Sequence, residues 1–333
     1  MGTFNTAAAP VGILARALTG NIFVQQSLAY MNEGDKDSYN VLKQDIKNVL
    51  AAYSADPSTA GSEVGESTNN FLRGLKIVQS FEKFNPADYH QYWREYQPSG
   101  TFQWEGLPTQ VQSNLEELFL GSAEEAVEEA LTNGFTDGSI TIVGLTEQLR
   151  SSAYTSLNGS EPSSSQISGN TAIAFQATSS GSGGNLGVTL TTSNIFSKLE
   201  LLIKNQTKSQ RKRPGRKFMV NHTTADILME AQRLELNFKG VDVVDEGVMR
   251  YAGYDVIVNP SLKDDTIVLC SMTGAYQTDA FQLGTSMSAD FNNVEVQRIS
   301  NFGREWGMAL TMALDVFVVR PEEVCFYTAE AEI

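Results

Sequence analysis

The stretch TQVQSNLEELFLGSAEEAVEEALTNG, residues 109–134, decides how the rest of the chain is read. Val111, Leu115, Leu118, Phe119, Ala123, Val127, Ala130 and Leu131 recur at the spacing of one helix face, with glutamates clustered opposite. Asn133-Gly134 then supplies residues that tolerate the left-handed conformation that ends a helix. The pattern predicts a helix from about Thr109 to Thr132, a rod of roughly 35 Å. Such a rod can serve as a spine.

On its N-terminal side the chain changes character. Residues 84–107, FNPADYHQYWREYQPSGTFQWEGL, mix Pro86, Pro98, Gly100 and Gly106 with Tyr89, Tyr92, Trp93, Tyr96, Phe102 and Trp104. Breakers among bulky aromatics predict a strand pair or long hairpin rather than a helix. That hairpin has little core of its own, so its aromatics need a cover. The cover is either the spine helix or another protein molecule, where aromatics are the usual anchors. Further upstream, Val41, Leu42, Ile46, Val49 and Leu50 recur at helical spacing and predict a helix over about 37–54, followed by a loop. Residues 1–35 are Ala-rich and weakly periodic, and read as an extended arm.

On its C-terminal side, residues 151–187 are dominated by Ser, Gly, Thr and Asn and read as an exposed loop holding one small strand, TAIAFQAT. A helix over about 194–206 places Ile195, Phe196, Leu199, Leu202 and Ile203 on one face. The strand KFMVN follows, then a helix opened by Thr223, with Thr223 and Asp226 at capping-box spacing. Short strands come next: YDVIVN, TIVLCSM and VEVQRIS. The last long strand is WGMALTMALDVFVVRP. Met308, Leu310, Met312, Leu314, Val316 and Val318 share one face, and Phe317 and Val319 make the other face apolar near its end. Such a strand ends inside a sheet covered on both sides.

The 333 residues carry 24 Lys and Arg against 39 Asp and Glu, a net charge of -15. That balance argues against coating DNA, since phosphate binding needs positive surface. The chain reads as a soluble protein made inside the cell, without a secretion signal or an apolar run long enough to cross a bilayer. Cys270 and Cys325 are too few for a disulfide framework, and read as buried thiols or a redox pair. His90 and His222 are too few for a histidine-rich metal site. GSGGNLG fails the phosphate-loop spacing at Leu186 and lacks a following Lys-Ser/Thr. No G-x-S-x-G occurs. Glu116-Glu117 and Glu124-Glu125 read as solvated charge on the spine. No enzyme or cofactor is implied.

Against the acidic background stands KSQRKRPGRK, within a run from Lys204 to Lys217 that holds seven basic side chains and no acidic one. Pro214-Gly215 predicts a turn here rather than a binding helix. Arg211, Lys212, Arg213, Arg216 and Lys217 are candidates to meet an acidic neighbour, to ring a symmetry axis, or to bind nucleic acid.

The order of these elements resembles the major capsid proteins of tailed double-stranded-DNA bacteriophages, which share the Hong Kong 97-type capsid fold. YWREYQPSGTFQWEGLPTQVQSNLEEL is similar to the family's extended loop leading into the spine helix. EEALTNGFTDGSITIVGL resembles the passage from the spine into the axial domain, and KFMVNHTTADILMEA that domain's strand-and-helix pair, with His222 where the family often has Pro. YAGYDVIVNPSL with TIVLCSM resembles the paired strands after that helix. MALDVFVVRPEEVCFYTA resembles the closing strand of the peripheral domain.

The resemblance implies an α+β subunit: an arm over 1–35, a linking helix and loop over 36–73, and an extended-loop hairpin over 74–107. The spine helix of the peripheral domain then takes 108–134, an axial domain 135–285 with a Ser/Gly-rich loop at 155–187, and return strands of the peripheral domain 286–333. It implies self-assembly into an icosahedral shell around a genome, through pentamers and hexamers. Tyr92, Trp93, Tyr96, Phe102 and Trp104 then become candidate contacts between subunits, beside the five basic residues. A scaffolding protein, a portal and head-decoration proteins are the implied partners, with packaged DNA touched weakly and no membrane. The implied location is the virion, after synthesis in the host bacterial cytoplasm. The initiator Met and the want of a long charged leader point to a separate scaffold. The rival reading, a nucleic-acid-binding protein using Lys204–Lys217, predicts tight and steeply salt-dependent DNA affinity in the lone chain.

Overall fold

The computed structural model describes residues 22–33, 38–47, 65–84, 109–138, 140–149, 189–206, 208–234, 244–245, 248–275, 279–286, 293–298, 306–320 and 323–329. One helical turn, α1 (Ile22–Gln25), leads to β1 (Tyr30–Glu33). Two ten-residue strands, β2 (Ser38–Lys47) and β3 (Gly65–Gly74), pair antiparallel along their whole length. Beyond Leu75 comes β4 (Lys76–Phe84). The spine is α2 (Thr109–Asn133), followed by a small hairpin of β5 (Phe135–Asp137) and β6 (Ile140–Ile142), and by α3 (Leu145–Gln148). Then come α4 (Ile195–Asn205), α5 (Lys208–Lys212), β7 (Arg216–Val220) and α6 (His222–Leu234). The remaining strands are β8 (Val244–Asp245), β9 (Val248–Tyr251), β10 (Tyr254–Val258), β11 (Ile267–Ser271), β12 (Phe281–Thr285), β13 (Asn293–Arg298), β14 (Trp306–Val318) and β15 (Cys325–Tyr327).

The 13 residues of β14 organise the molecule because both of its faces are apolar. Met308, Leu310, Met312, Leu314, Val316 and Val318 turn toward a core that includes Phe119, Ala123, Val127 and Leu131 of α2. Ala313, Phe317 and the following Val319 turn the other way, into a smaller cluster with Tyr39, Val41 and Leu75. Strands β4, β12 and β13 pair antiparallel with β14, and β1 adds parallel to β12. A second sheet runs β15-β11-β7-β10-β9-β8. Its Met219, Val268, Cys270 and Phe326 belong to the spine's core, so one apolar interior spans both sheets. Its other face, with Phe218, Val220, Ile267 and Leu269, is covered by Ile195, Leu199 and Leu202 of α4 and by Ala225 and Leu228 of α6. Each such side chain stabilises the fold by roughly 1.5–3 kcal/mol relative to exposure.

The spine stops as its sequence predicts. Gly134 has φ +95 and its N–H donates to Ala130 O at 3.0 Å, satisfying a terminal carbonyl. Thr146 Oγ1 donates to Thr132 O at 3.0 Å, and a Cβ on Gly144 would overlap the Asn133–Gly134 peptide. The α3 side chain of Gln148, 1 % exposed, donates to Val316 O at 2.6 Å and accepts from Val318 N at 3.2 Å. This one amide completes the edge of β14 where no described strand does.

Several expectations are corrected. Residues 38–47 are a strand, not part of a helix over 37–54, because β3 offers ten backbone partners that outweigh a loose helical spacing. The linking helix and loop of 36–73 is therefore, in its described part, an antiparallel strand pair. The first residues expected in a hairpin at 74–107 instead run as β4 along β14; residues 85–108, with Tyr92, Trp93, Tyr96, Phe102 and Trp104, lie outside the described residues. So does the loop at 155–187. Of the arm expected over 1–35, residues 22–33 are part of the main core, with Phe23 and Leu28 fully buried. On the spine, Leu118 stands 71 % exposed while Leu120 takes its place inside. The boundary at 285/286 is crossed twice: β12 pairs with β14, and β15 returns to pair with β11. Asn221, rather than Thr223, caps α6, its Oδ1 accepting from Thr224 N at 2.8 Å. The basic segment is a five-residue helix before its Pro214-Gly215 turn, rather than a turn throughout.

The cysteines cannot pair within this sheet. Cys325 registers with Leu269, so it shares that residue's face, while Cys270 points into the core on the opposite face. Burial pushes the Cys325 thiol up to about 12 and the Cys270 thiol well above the usual range. Both remain neutral, buried thiols.

Candidate functional site

Strands β2 and β3 pair with no other described strand. Ten residue pairs at roughly 3.3 Å per residue make a ribbon about 30 Å long. A two-stranded ribbon is marginal alone, so its root decides how it is held. At the root, Tyr39 and Val41 are buried against Ala313 and Phe317. Between them lies Asp315, a carboxylate 4 % exposed and the one charged residue of its strand. Tyr39 of β2 donates its OH to Asp315 Oδ2 at 2.8 Å, and Arg73 of β3 donates Nε to the same oxygen at 3.2 Å. The Arg73 guanidinium also lies 4.8 Å from the centre of the Phe317 ring.

The electrostatics follow from burial. Desolvation raises the Asp315 carboxyl above the usual carboxylate range, while Arg73 and the Tyr39 hydroxyl oppose that rise. Desolvation and the Asp315 charge together hold the Tyr39 hydroxyl well above its ordinary range, so it remains a donor. Space for its ring comes from Gly284, the register partner of Asp315, where a Cβ would overlap the ring. Asn32 Nδ2 adds a bond to Asn40 O at 2.9 Å, tying β1 to the ribbon.

The basic segment is largely engaged inside its own chain. Arg213 grips the buried Glu323 with two nitrogens, Nε to Oε2 at 3.0 Å and Nη2 to Oε1 at 3.2 Å. Arg216 donates to Gln206 Oε1 at 2.9 Å and lies over the Tyr254 ring at 5.0 Å. Arg211 donates to Lys204 O at 2.9 Å, at the C-terminus of α4. Lys217 reaches Gln26 O at 3.3 Å, and Lys204 pairs with Glu200 on the surface. Lys212 is exposed.

The spine carries a further polar anchor. Glu128 lies on the inner face of α2, 9 % exposed. It accepts from Ser261 Oγ at 3.0 Å and from Ile22 N at 3.4 Å, joining the start of the described chain to the loop after β10. Sequence reasoning missed Tyr39, Arg73, Glu128 and Asp315. Asp315 carried a readable signal, as the one charged residue in the 13 of β14. Leu72 at 71 % and Phe81 at 50 % exposure are further apolar surface, beside Leu118 at 71 %, which the helical stripe had placed inside. Among the described residues no group of three His, Cys, Asp or Glu could hold a metal, and no helix is long and apolar enough to cross a membrane.

No protein-family model and no curated protein matches the sequence. Solved structures do. A chain of the satellite phage P4 procapsid, which includes the size determination protein, superposes with TM-score 0.57 at 10% identity, over 97% of this chain and 99% of that one. The cyanophage A-1(L) capsid aligns over 94% and 93% at 10% identity with TM-score 0.49. The SrpI encapsulin of Synechococcus elongatus PCC 7942 aligns over 92% and 86% at 12% identity with TM-score 0.48. Of these three, the P4 procapsid chain superposes best. With the spine, the ribbon and the two sheets, it gives the chain the α+β Hong Kong 97-type capsid fold.

Proposed function

We propose that this protein is a major capsid protein, a subunit that assembles with identical copies into the closed shell of a tailed bacteriophage. The carrying observation is the fold shared with a P4 procapsid chain along nearly the full length of both. A paired ribbon about 30 Å long, held by its root, supports the reading, since such an element gains cover from a neighbouring copy. The division into a peripheral domain around α2 and β14 and an axial domain around the six-stranded sheet belongs to the same proposal. So do pentamers and hexamers, a scaffolding protein, a portal, decoration proteins, residence in the virion and synthesis in the host bacterial cytoplasm.

Function on this reading is repetition. Each contact contributes little, and closed symmetry multiplies it. Tyr92, Trp93, Tyr96, Phe102 and Trp104 are proposed contacts between subunits, and Lys212 is the basic residue best placed to join them. The nucleic-acid-binding alternative draws little from a segment whose arginines are engaged with Glu323, Gln206 and backbone carbonyls. Electron microscopy of the full chain, expressed alone and with a candidate scaffold, tests the proposal. Closed particles are expected; monodisperse monomers under every condition contradict it.

A further inference from the structure

We infer that Tyr39, Arg73 and Asp315 form a latch that fixes the direction in which the β2–β3 ribbon leaves the body. Both ribbon strands end on one buried oxygen: Tyr39 from β2 and Arg73 from β3 each donate to Asp315 Oδ2. The covalent joint to the body on the β3 side is one residue, Leu75, between β3 and a β4 that is locked to β14 over nine pairs. Backbone pairing therefore fixes β4 and, separately, the ribbon, but leaves the angle between them to side chains. A carboxylate receiving one donor from each strand constrains that angle in a way apolar contact does not, because hydrogen bonds are directional.

Gly284 is the second part of the device. It lies opposite Asp315 in the register, its backbone is not in the left-handed region, and its missing side chain is the seat of the Tyr39 ring. A single methyl there evicts the ring without altering a polar group of the latch. This separates the seat from the chemistry. Where the ribbon points then decides which part of a neighbouring copy it can reach; that consequence rests on the proposed shell function, whereas the latch itself does not.

The test uses the full chain before assembly. Spin labels at Lys47, the far end of the described β2, and at the exposed Glu230 of α6 report the distance between ribbon and body. Cys270 and Cys325 are buried and leave the labelling selective. The parent is expected to give one narrow distance distribution. Arg73→Met and Gly284→Ala are each expected to broaden or shift it, and Gly121→Ala, where an added Cβ meets nothing within 4 Å, to leave it unchanged. Should Arg73→Met fail to fold, Gly284→Ala carries the test alone. Distributions for Gly284→Ala and Arg73→Met that superpose on the parent's overturn the latch. A parent that latches but never closes a shell leaves the latch standing and removes the proposed function instead.

Discussion

Residues 22–33 and the ribbon at 38–74 are separated by four residues, and neither has a long apolar stripe. One is core and the other is an appendage. In the first, Phe23 and Leu28 are fully buried, and β1 pairs with β12 through four residues. In the second, the strands pair with no other described strand, and the described contacts with the body gather at Tyr39, Asn40, Val41 and Arg73. The difference teaches that apolar density alone does not assign a segment to the interior. A short segment enters the core when an existing sheet edge satisfies its backbone and one or two large side chains find a cavity. A longer segment that satisfies its own backbone has less need of the body.

The largest expected effect separates these two regions. Phe23→Ala is expected to destabilise the subunit by about 3–5 kcal/mol in urea denaturation. Leu72→Ser on the exposed side of β3 should change it by no more than about 0.5 kcal/mol. Comparable losses would erase the distinction. Next comes the root. Arg73→Met leaves Asp315 buried without its cation and is expected to cost about 3 kcal/mol near neutral pH. A carboxyl raised in the folded state stabilises folding in acid and loses that contribution as pH rises through its folded value. Removing Arg73 raises Asp315 further, so the deficit is expected to shrink as pH falls toward about 4. A deficit that grows in acid would mean that Arg73 does not act by stabilising the Asp315 carboxylate.

Smaller effects sharpen the comparison. Glu128→Gln keeps one acceptor but not two for Ser261 and Ile22, and is expected to cost about 1 kcal/mol in the same assay. Its loss should show first as faster amide exchange in residues 22–33, since Glu128 ties that segment to the spine. Lys212→Glu, on an exposed side chain, is expected to shift stability by less than about 0.5 kcal/mol. If it abolishes particle formation while the subunit remains folded, Lys212 meets a neighbour; unchanged assembly removes it from the candidate contacts.

Much of the body was legible because its signals are local. The spine runs Thr109–Asn133, matching the expectation from its stripe and its Asn133-Gly134 end. The apolar character of both faces of β14 predicted its double cover, and α4 lies within one residue of the expected span. The ribbon was not legible because Val41, Leu42 and Ile46 satisfy a helical spacing nearly as well as a strand's, and the partner GESTNNFLRG is poor in β-branched residues. The root was hidden by distance along the chain. Tyr39 and Asp315 are 276 positions apart, and nothing in either neighbourhood names the other. The basic run misled for a simpler reason. A cluster of charge in sequence need not be a patch in space, and Arg213 and Arg216 turn inward to hold Glu323 and Gln206.

Amide hydrogen exchange, followed first on the isolated subunit and then on the assembled particle, bears most directly on whether the ribbon is an element completed by another copy. Amides of β1 and β14 are predicted to exchange slowly in both states. Those of β2 and β3 beyond the root are predicted to exchange fast in the subunit and to slow by about tenfold or more on assembly. Ribbon amides already as slow as those of β14 in the lone subunit, or still fast within closed particles, would contradict the account.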